Sequence, residues 1–136
     1  MARLTGRTAI VTGGARGIGA HYSRALAAEG AQVVIADVAD GGGLAEEIAR
    51  RHGANSAAST ITDVSDETSV EALASAAIER FGKIDVLVNN AALFAPLQET
   101  KCTEIDANLW DKVMAVNLRG PFLMVKHIAP HMIAAG

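Results

Sequence analysis

Residues 8–19 read Thr-Ala-Ile-Val-Thr-Gly-Gly-Ala-Arg-Gly-Ile-Gly, an apolar run that passes into a glycine-rich turn. The β-branched character of residues 8–11 predicts a strand buried on both faces of a parallel sheet. Gly13, Gly17 and Gly19 remove side chains from the turn, so backbone N–H groups and a helix N-terminus can approach a pyrophosphate. The stretch predicts a dinucleotide-binding turn, with a plain structural turn as the alternative.

An acidic residue supports the dinucleotide interpretation. Residues 32–36 read as a second strand, and Asp37 follows at its carboxyl end, about 20 residues past the glycines. A carboxylate at that place can accept hydrogen bonds from the hydroxyls of an adenosine ribose. The alternative is an acidic residue turned away into a helix cap.

The rest of the chain alternates predicted helices and strands. Helices are predicted at residues 17–29, 44–52 and 66–81, the third capped by Ser65, and further strands at residues 56–62 and 84–88. The alternation predicts an α/β fold, a Rossmann-type doubly wound parallel sheet with strand order 3-2-1-4 and the fourth strand at an open edge. Gly13, Asp37, Asp63 and Asn90 then share the carboxyl edge, where such sheets bind ligands.

Two helices carry further expectations. In the first, Ile18, Tyr22, Ala25 and Leu26 lie at helical spacing and predict the face that packs on the core. After a loop at residues 93–105, a second helical stretch runs from about residue 107 to residue 133. Pro121 has no N–H, so the carbonyl of Asn117, four residues earlier, loses its helical partner and the helix is expected to kink.

Composition limits the class of protein. The 136 residues are half hydrophobic and predict one domain with a packed core. A net charge of −3 shows no electrostatic footprint for nucleic acid or an anionic membrane. Cys102 is the only cysteine, and no apolar run reaches the length of a membrane span. We therefore expect no nucleic-acid or membrane partner and a reducing cytoplasm as the location.

Separated motifs along the chain have a common resemblance. They are T-G-x-x-x-G-x-G at residues 12–19, Asp37, Asp63-Val64, Asn89-Asn90-Ala91-Ala92 and Asn117. In this order they resemble the short-chain dehydrogenases/reductases over all 136 residues, except that Ala92 stands where the family usually has glycine. The resemblance implies hydride transfer between a nicotinamide cofactor and a small alcohol or carbonyl substrate, with a noncatalytic nucleotide-binding module as the alternative.

The resemblance also implies which residues hold the cofactor. Those residues are Thr12, Gly13, Gly14, Arg16, Gly17, Ile18, Gly19, Asp37, Asp63, Val64, Asn90 and Ala91. Asp37 accepts both ribose hydroxyls of NAD and repels a 2′-phosphate, and Val38 supplies no cation. NAD is therefore predicted over NADP.

The resemblance implies a catalytic group of which only the asparagine has a match here, at Asn117. It also implies that the main-chain oxygen of Asn117 holds a water in a proton relay. The serine and the Tyr-x-x-x-Lys pattern have no match. Tyr22 is the only tyrosine, and its predicted place on the core face of the first helix makes it a packing residue rather than an acid. We therefore expect residues 1–136 to be the N-terminal, cofactor-binding portion of a domain, inactive alone, in a protein that forms a homodimer or homotetramer.

No metal ligand is assigned from the sequence. His127 and His131 are four residues apart on one helical face, but no third ligand is placed beside them, so a solvated or subunit-facing surface is expected. Cys102 lies in a polar loop and is interpreted as an incidental thiol.

Overall fold

The computed structural model describes residues 2–94 and 100–136. Its strands are β1 (Thr8–Thr12), β2 (Gln32–Asp37), β3 (Ala57–Ile61) and β4 (Val86–Val88). Its α-helices are α1 (Gly17–Ala28), α2 (Gly42–His52), α3 (Glu67–Phe81), α4 (Ala107–Met114) and α5 (Gly120–Ala135). The predicted alternation is confirmed. The predicted loop at residues 93–105 includes residues 95–99, which lie outside the described residues, and contains a 3₁₀ turn at Cys102–Glu104.

The strands of the described chain form one parallel sheet in the order β3-β2-β1-β4. Ile10 of β1 is paired with Val34 of β2 on one side and with Leu87 of β4 on the other. Every residue of β1 is buried, as expected for a strand covered on both faces. The Rossmann-type order is confirmed, with β4 at an edge of the sheet among the described residues.

Hydrophobic side chains cover both faces of the sheet. On one face Ile10 and Val34 pack with Leu73 of α3 and Leu123 of α5. On the other face α1 and α2 pack against Val11, Val33 and Ile35, with buried residues that include Ala20, Ala27, Leu44 and Ile48. The sheet therefore lies between two helical layers, which fixes the loops at its carboxyl edge.

The packing face predicted for α1 is wrong at Ile18, Tyr22 and Ala25, which are exposed, whereas the predicted Leu26 is half-buried and packs against the core. Ile18 and Tyr22 are 66% and 47% exposed, whereas the buried positions of this helix are Gly19, Ala20, Ser23 and Ala27. Small side chains let the helix backbone approach the sheet closely, which bulky side chains at those positions would prevent. The Ser23 hydroxyl is satisfied in this contact by the carbonyls of Gly14 and Gly19.

The predicted cap of α3 is displaced by one residue. Asp66, not Ser65, is the N-cap, and its carboxylate accepts the N–H of Thr68. Ser65 instead donates its hydroxyl to Asp63 over 2.6 Å. A carboxylate is the stronger acceptor at a helix N-terminus, and the Ser65 hydroxyl is engaged by Asp63. The predicted end of the helix is confirmed by Gly82 in the left-handed conformation.

A π-helical segment, Ala115–Arg119, joins α4 to α5 at the predicted kink. The N–H of Gly120 donates to the carbonyl of Ala115, five residues earlier, which is the π-helical spacing. Pro121 cannot supply the N–H that an α-helix would give to the carbonyl of Asn117. The wider turn accommodates this missing donor, so the helical stretch continues through the proline.

An acidic side chain joins the amino ends of β1 and β4, away from the cavity edge of the sheet. The Asp85 carboxylate is 6% exposed; it accepts the N–H of Thr8 over 2.8 Å and pairs with Arg7 and Lys83. Burial raises the pKa of Asp85, but the hydrogen bonds from Thr8, Arg7 and Lys83 outweigh it and hold the pKa below its ordinary value.

Among the described helices, none combines the length and apolarity required to cross a bilayer.

Candidate functional site

A cavity of about 620 Å³ lies at the carboxyl edge of the sheet. The predicted site residues that line it are Gly13, Arg16, Asp37, Asp63, Val64, Asn90 and Ala91. They come from the ends of four successive strands, as expected for a ligand crevice in a doubly wound sheet.

The glycine turn is closely packed against the residues that follow β4. Gly13 has a φ of +60°, and a Cβ there would lie 3.0 Å from the Cα of Ala91. A Cβ on Gly19 would overlap the carbonyl oxygen of Gly13. Glycine is therefore required at both positions, because a side chain at either one would push the turn away from its neighbouring backbone.

The first helix supplies an anion-binding end. Helix α1 begins at Gly17, directly after Arg16, and among the described residues no side chain caps its N-terminus. The first N–H groups of a helix have no intrahelical partners, and the helix dipole makes this end positive. The arrangement can bind a phosphate group through the backbone.

Thr12 and Asn90 join the two strand ends beneath this turn. The Thr12 hydroxyl oxygen accepts the N–H groups of Asn90 and Ala91 over 3.1 and 3.0 Å and donates to the carbonyl of Val88. The Asn90 amide donates to the carbonyls of Thr12 and Gly13. Thr12 is 1% exposed, so it acts from behind the cavity wall by fixing the loops that form it.

Asp37 is held in place by main-chain donors. Its Oδ2 accepts the N–H of Ala15 and its Oδ1 the N–H of Ala39, each over 3.0 Å. The carboxylate therefore joins the glycine turn to the end of β2 and still lines the cavity. Each carboxylate oxygen can accept more than one hydrogen bond, so both keep capacity for a ligand hydroxyl.

The residues after β3 form the next part of the wall. Asp63 accepts the N–H and the hydroxyl of Ser65 at one carboxylate oxygen. Val64 packs against Gly120, where a Cβ would lie 2.8 Å from a Val64 methyl group. This contact explains the glycine at the start of α5, a role that the sequence analysis did not identify.

Asn117 does not itself line the cavity, but it holds a residue that does. Its amide oxygen accepts the N–H of Leu93 over 2.7 Å, and its amide nitrogen donates to the carbonyl of Leu93 over 3.2 Å. Leu93 lines the cavity. The side chain therefore fixes the segment that follows Asn90 and Ala91.

A family comparison agrees with this geometry. The model of the short chain dehydrogenase family matches residues 7–136. The chain belongs to the short-chain dehydrogenase family. Its strand order and the position of its cavity are those that the alternation of helices and strands predicted.

Two similar curated proteins are dehydrogenases by name. The chain is 46% identical over 132 residues to a cis-4-hydroxycyclohexanecarboxylate dehydrogenase of Sinomonas cyclohexanicum, covering 96% of this chain and 51% of that protein. It is 40% identical over 139 residues to a sorbitol dehydrogenase of Cereibacter sphaeroides, covering 98% and 50% of the two chains. The chain therefore spans about half the length of these curated relatives.

A solved structure has the same fold. The crystal structure of a 3-ketoacyl-(acyl-carrier-protein) reductase from Brucella melitensis, complexed with NADH, superposes with a TM-score of 0.83 and 34% sequence identity. The match covers 94% of this chain and 50% of that one.

The remaining predicted residues lie around the cavity rather than on its wall. Thr12, Gly14 and Gly19 are buried behind it, and Gly17 and Ile18 are exposed at the start of α1. Lining residues without a predicted role include Leu93, Phe94, Lys112 and Ala115. Lys112, Ala115 and Val116 are spaced by three and four residues, and this helical periodicity is the signal that could have placed them together on the wall.

Proposed function

We propose that the protein containing these residues is an NAD-dependent oxidoreductase that transfers a hydride between the nicotinamide cofactor and an alcohol or ketone. The observation that carries the proposal is that Gly13 of the glycine turn, Arg16 at the start of an uncapped helix and the Asp37 carboxylate all line one cavity. Membership of the short-chain dehydrogenase family and the NADH named for the solved relative support it.

The residues present fit a dinucleotide. Glycine at positions 13 and 19 lets the turn pack closely against Ala91 and against the carbonyl of Gly13, and we propose that a pyrophosphate approaches the N–H groups of residues 17–19. Ile18 lies in this first turn, and Arg16, beside it, supplies a cation. Gly14 fixes the turn, since its N–H donates to the carbonyl of Ala36.

The other parts of a dinucleotide are assigned to successive strand ends. We assign the adenosine ribose to Asp37, the adenine to Asp63 and Val64, and the remainder of the cofactor to Asn90 and Ala91. When bound, the nicotinamide ring would carry the hydride. The chain's own part is to orient the cofactor in the cavity.

The preference for NAD over NADP is part of the proposal. Asp37 is 7% exposed and held by two N–H donors, so it cannot easily turn away from a 2′-phosphate. Such a phosphate would meet a like charge in partly buried surroundings. The next residue, Val38, is 63% exposed and carries no charge to offset that repulsion.

We assign proton transfer to residues other than those that hold the cofactor. We propose that Asn117 contributes through its main-chain carbonyl, next to the segment that its side chain fixes. The serine and the Tyr-x-x-x-Lys pattern of the family have no match in residues 1–136, so we propose that this chain is the cofactor-binding portion of a longer catalytic domain. Turnover is accordingly proposed for that domain and not for residues 1–136 alone.

Exposed apolar residues favour assembly into a homodimer or homotetramer. Three apolar side chains are exposed along α4, the π-helical segment and α5. They are Trp110, Leu118 and Phe122, with exposed fractions of 54%, 63% and 61%. Apolar patches of this kind mark interaction surfaces. We place the assembly in the cytoplasm, where the exposed thiol of Cys102 would stay reduced.

The test uses the protein expressed from its complete reading frame. NADH binding is measured by calorimetry, and oxidation of secondary alcohols, cyclic alcohols and polyols is followed by NADH absorbance. We expect NADH to bind competitively with ADP-ribose and at least one alcohol class to be oxidised. Failure to bind NADH would refute the cofactor site, and binding without turnover of any of these alcohols or their ketones would identify a noncatalytic module instead.

A further inference from the structure

A cluster of three ligand-type side chains joins α3 to α5, away from the cofactor cavity. The Nε2 atom of His127 lies 2.8 Å from Oε1 of Glu67 and 3.8 Å from Oε1 of Glu71. One ligand atom from each residue lies within 4.8 Å of the others. Glu67 and Glu71 are four residues apart on α3 and so present their carboxylates on one face.

We propose that Glu67, Glu71 and His127 form a site for a zinc-type divalent cation that bridges α3 and α5. Zn²⁺ binds imidazole nitrogen and carboxylate oxygen at about 2.0–2.2 Å, which places the ligand atoms of a tetrahedral site about 3.4 Å apart. The distances from His127 to the two carboxylates lie on either side of that value. Small side-chain adjustments would therefore complete three protein ligands, with water as the fourth.

The helices hold these residues on a rigid frame. Val70 and Leu73 of α3 belong to the same buried cluster as Leu123 and Met124 of α5. The backbones that carry the ligands are therefore fixed by core packing. The His127 side chain is 19% exposed, so a bound ion would be partly shielded and still reachable from solvent.

The donor set favours zinc over magnesium. Two carboxylates neutralise a divalent charge, and an imidazole nitrogen is a good ligand for Zn²⁺, whereas Mg²⁺ prefers oxygen ligands. None of the three residues lines the cofactor cavity described above. Zinc at this position would join two helices and leave the hydride-transfer site untouched.

Lys126 competes for the same carboxylate. Its ammonium nitrogen lies 2.6 Å from Oε1 of Glu67, and its side chain is 51% exposed. The long, flexible stem allows the ammonium group to move into solvent when a divalent ion binds. Its removal should therefore strengthen zinc binding.

The experiment is calorimetric titration of ZnCl₂ into the tag-free, EDTA-treated and dialysed protein from the complete reading frame. We expect one Zn²⁺ per chain, bound in the micromolar range or tighter, with MgCl₂ giving no binding. His127→Ala and Glu71→Gln should each weaken Zn²⁺ binding at least about tenfold. Lys126→Met should bind at least as tightly as the unmodified protein.

His131→Ala is the matched control, because His131 is an exposed histidine one turn further along α5 and is not in the cluster. Its Zn²⁺ affinity should be unchanged. Glu71→Gln guards against misfolding of the His127 variant, since Glu71 is 57% exposed, and Co²⁺ absorption reports tetrahedral ligation independently. No Zn²⁺ binding by the unmodified protein, or Zn²⁺ binding by His127→Ala and Glu71→Gln as tight as that of the unmodified protein, would overturn the proposal.

Discussion

The hydroxyl oxygen of Thr12 accepts the main-chain N–H of Asn90 over 3.1 Å, which joins the end of β1 to the end of β4. The same oxygen accepts the N–H of Ala91, so one side chain satisfies two donors of a loop that lines the cavity. Asn90 returns a hydrogen bond from its amide to the carbonyl of Thr12. The glycine turn and the segment after β4 therefore form one structural unit.

Thr12→Val should be strongly destabilising, because it keeps the shape of the side chain but removes the acceptor for two N–H groups. We expect the free energy of unfolding to fall by about 1–3 kcal/mol, measured by urea denaturation, and NADH affinity to fall with it. Thr12→Ser keeps the hydroxyl and is the matched control. A Thr12→Val protein as stable as the Thr12→Ser protein would contradict this role.

Gly19→Ala should disrupt the cofactor turn through backbone overlap. The added Cβ would occupy the position of the Gly13 carbonyl oxygen, and relieving such overlap in packed structure costs about 1–3 kcal/mol. NADH affinity should therefore fall. Gly43→Ala is the control, because Gly43 is exposed in α2 and no atom lies within 4 Å of its added Cβ. Thermal melting should show that this control is stabilised, by up to about 1 kcal/mol.

Asp85→Asn should alter the response of stability to acid. Because the folded pKa of Asp85 lies below its ordinary value of about 3.9, its ionised form stabilises the fold fully above that value. The contribution is lost as pH falls through the lower folded pKa. Urea denaturation from pH 6 to about pH 2 should show a shallower loss of stability in Asp85→Asn than in the unmodified protein.

Asp111→Asn, at an exposed aspartate of α4, is the control for charge removal alone. It should leave the slope of stability against pH unchanged. Equal slopes of stability against pH for the unmodified protein and Asp85→Asn would show that the link that Asp85 makes between β1 and β4 does not depend on ionisation of its carboxylate.

The sequence could predict the sheet because each strand and its following turn carry local signals. Local sequence indicates three features: the apolar strand at residues 8–12, the glycines after it and Asp37 at the end of β2. The structure confirms their positions. The face of α1 was not predictable in the same way. Ile18 and Tyr22 look like core residues until the close approach of the helix to the sheet selects Ala20 and Ser23 instead.

Contacts between residues far apart in the sequence also could not be predicted from local sequence patterns. The hydrogen bonds of Asn117 to Leu93 span 24 residues, and the hydrogen bond between Glu67 and His127 spans 60. Such pairs depend on how whole helices pack, which periodicity within one helix does not specify. The sequence identified Asn117 through Pro121 and the family pattern, but not the partner of its side chain.

Asn117→Ala should loosen the segment after β4. It removes two side-chain hydrogen bonds to Leu93 but keeps the main-chain carbonyl, so unfolding free energy should fall by about 1–2 kcal/mol. Turnover should fall more than NADH affinity if the carbonyl must be held in position for proton transfer. Stopped-flow binding and steady-state rates separate the two effects. Asn108→Ala, at an exposed position of α4, should change neither turnover nor NADH affinity. Equal turnover and NADH affinity in the Asn117 and Asn108 variants would exclude the positioning role.

Asp37→Ala combined with Val38→Arg should narrow or invert the cofactor preference. The double change removes the carboxylate that would repel a 2′-phosphate and adds a guanidinium that can bind one. In the unmodified protein we expect NAD to bind at least about tenfold more tightly than NADP, equivalent to about 1.4 kcal/mol. Calorimetric titration of both cofactors into the unmodified protein, the two single variants and the double variant measures each contribution. Tighter binding of NADP by the unmodified protein would refute the assignment of Asp37 to the ribose, because a carboxylate held by Ala15 and Ala39 at 3.0 Å has little freedom to withdraw.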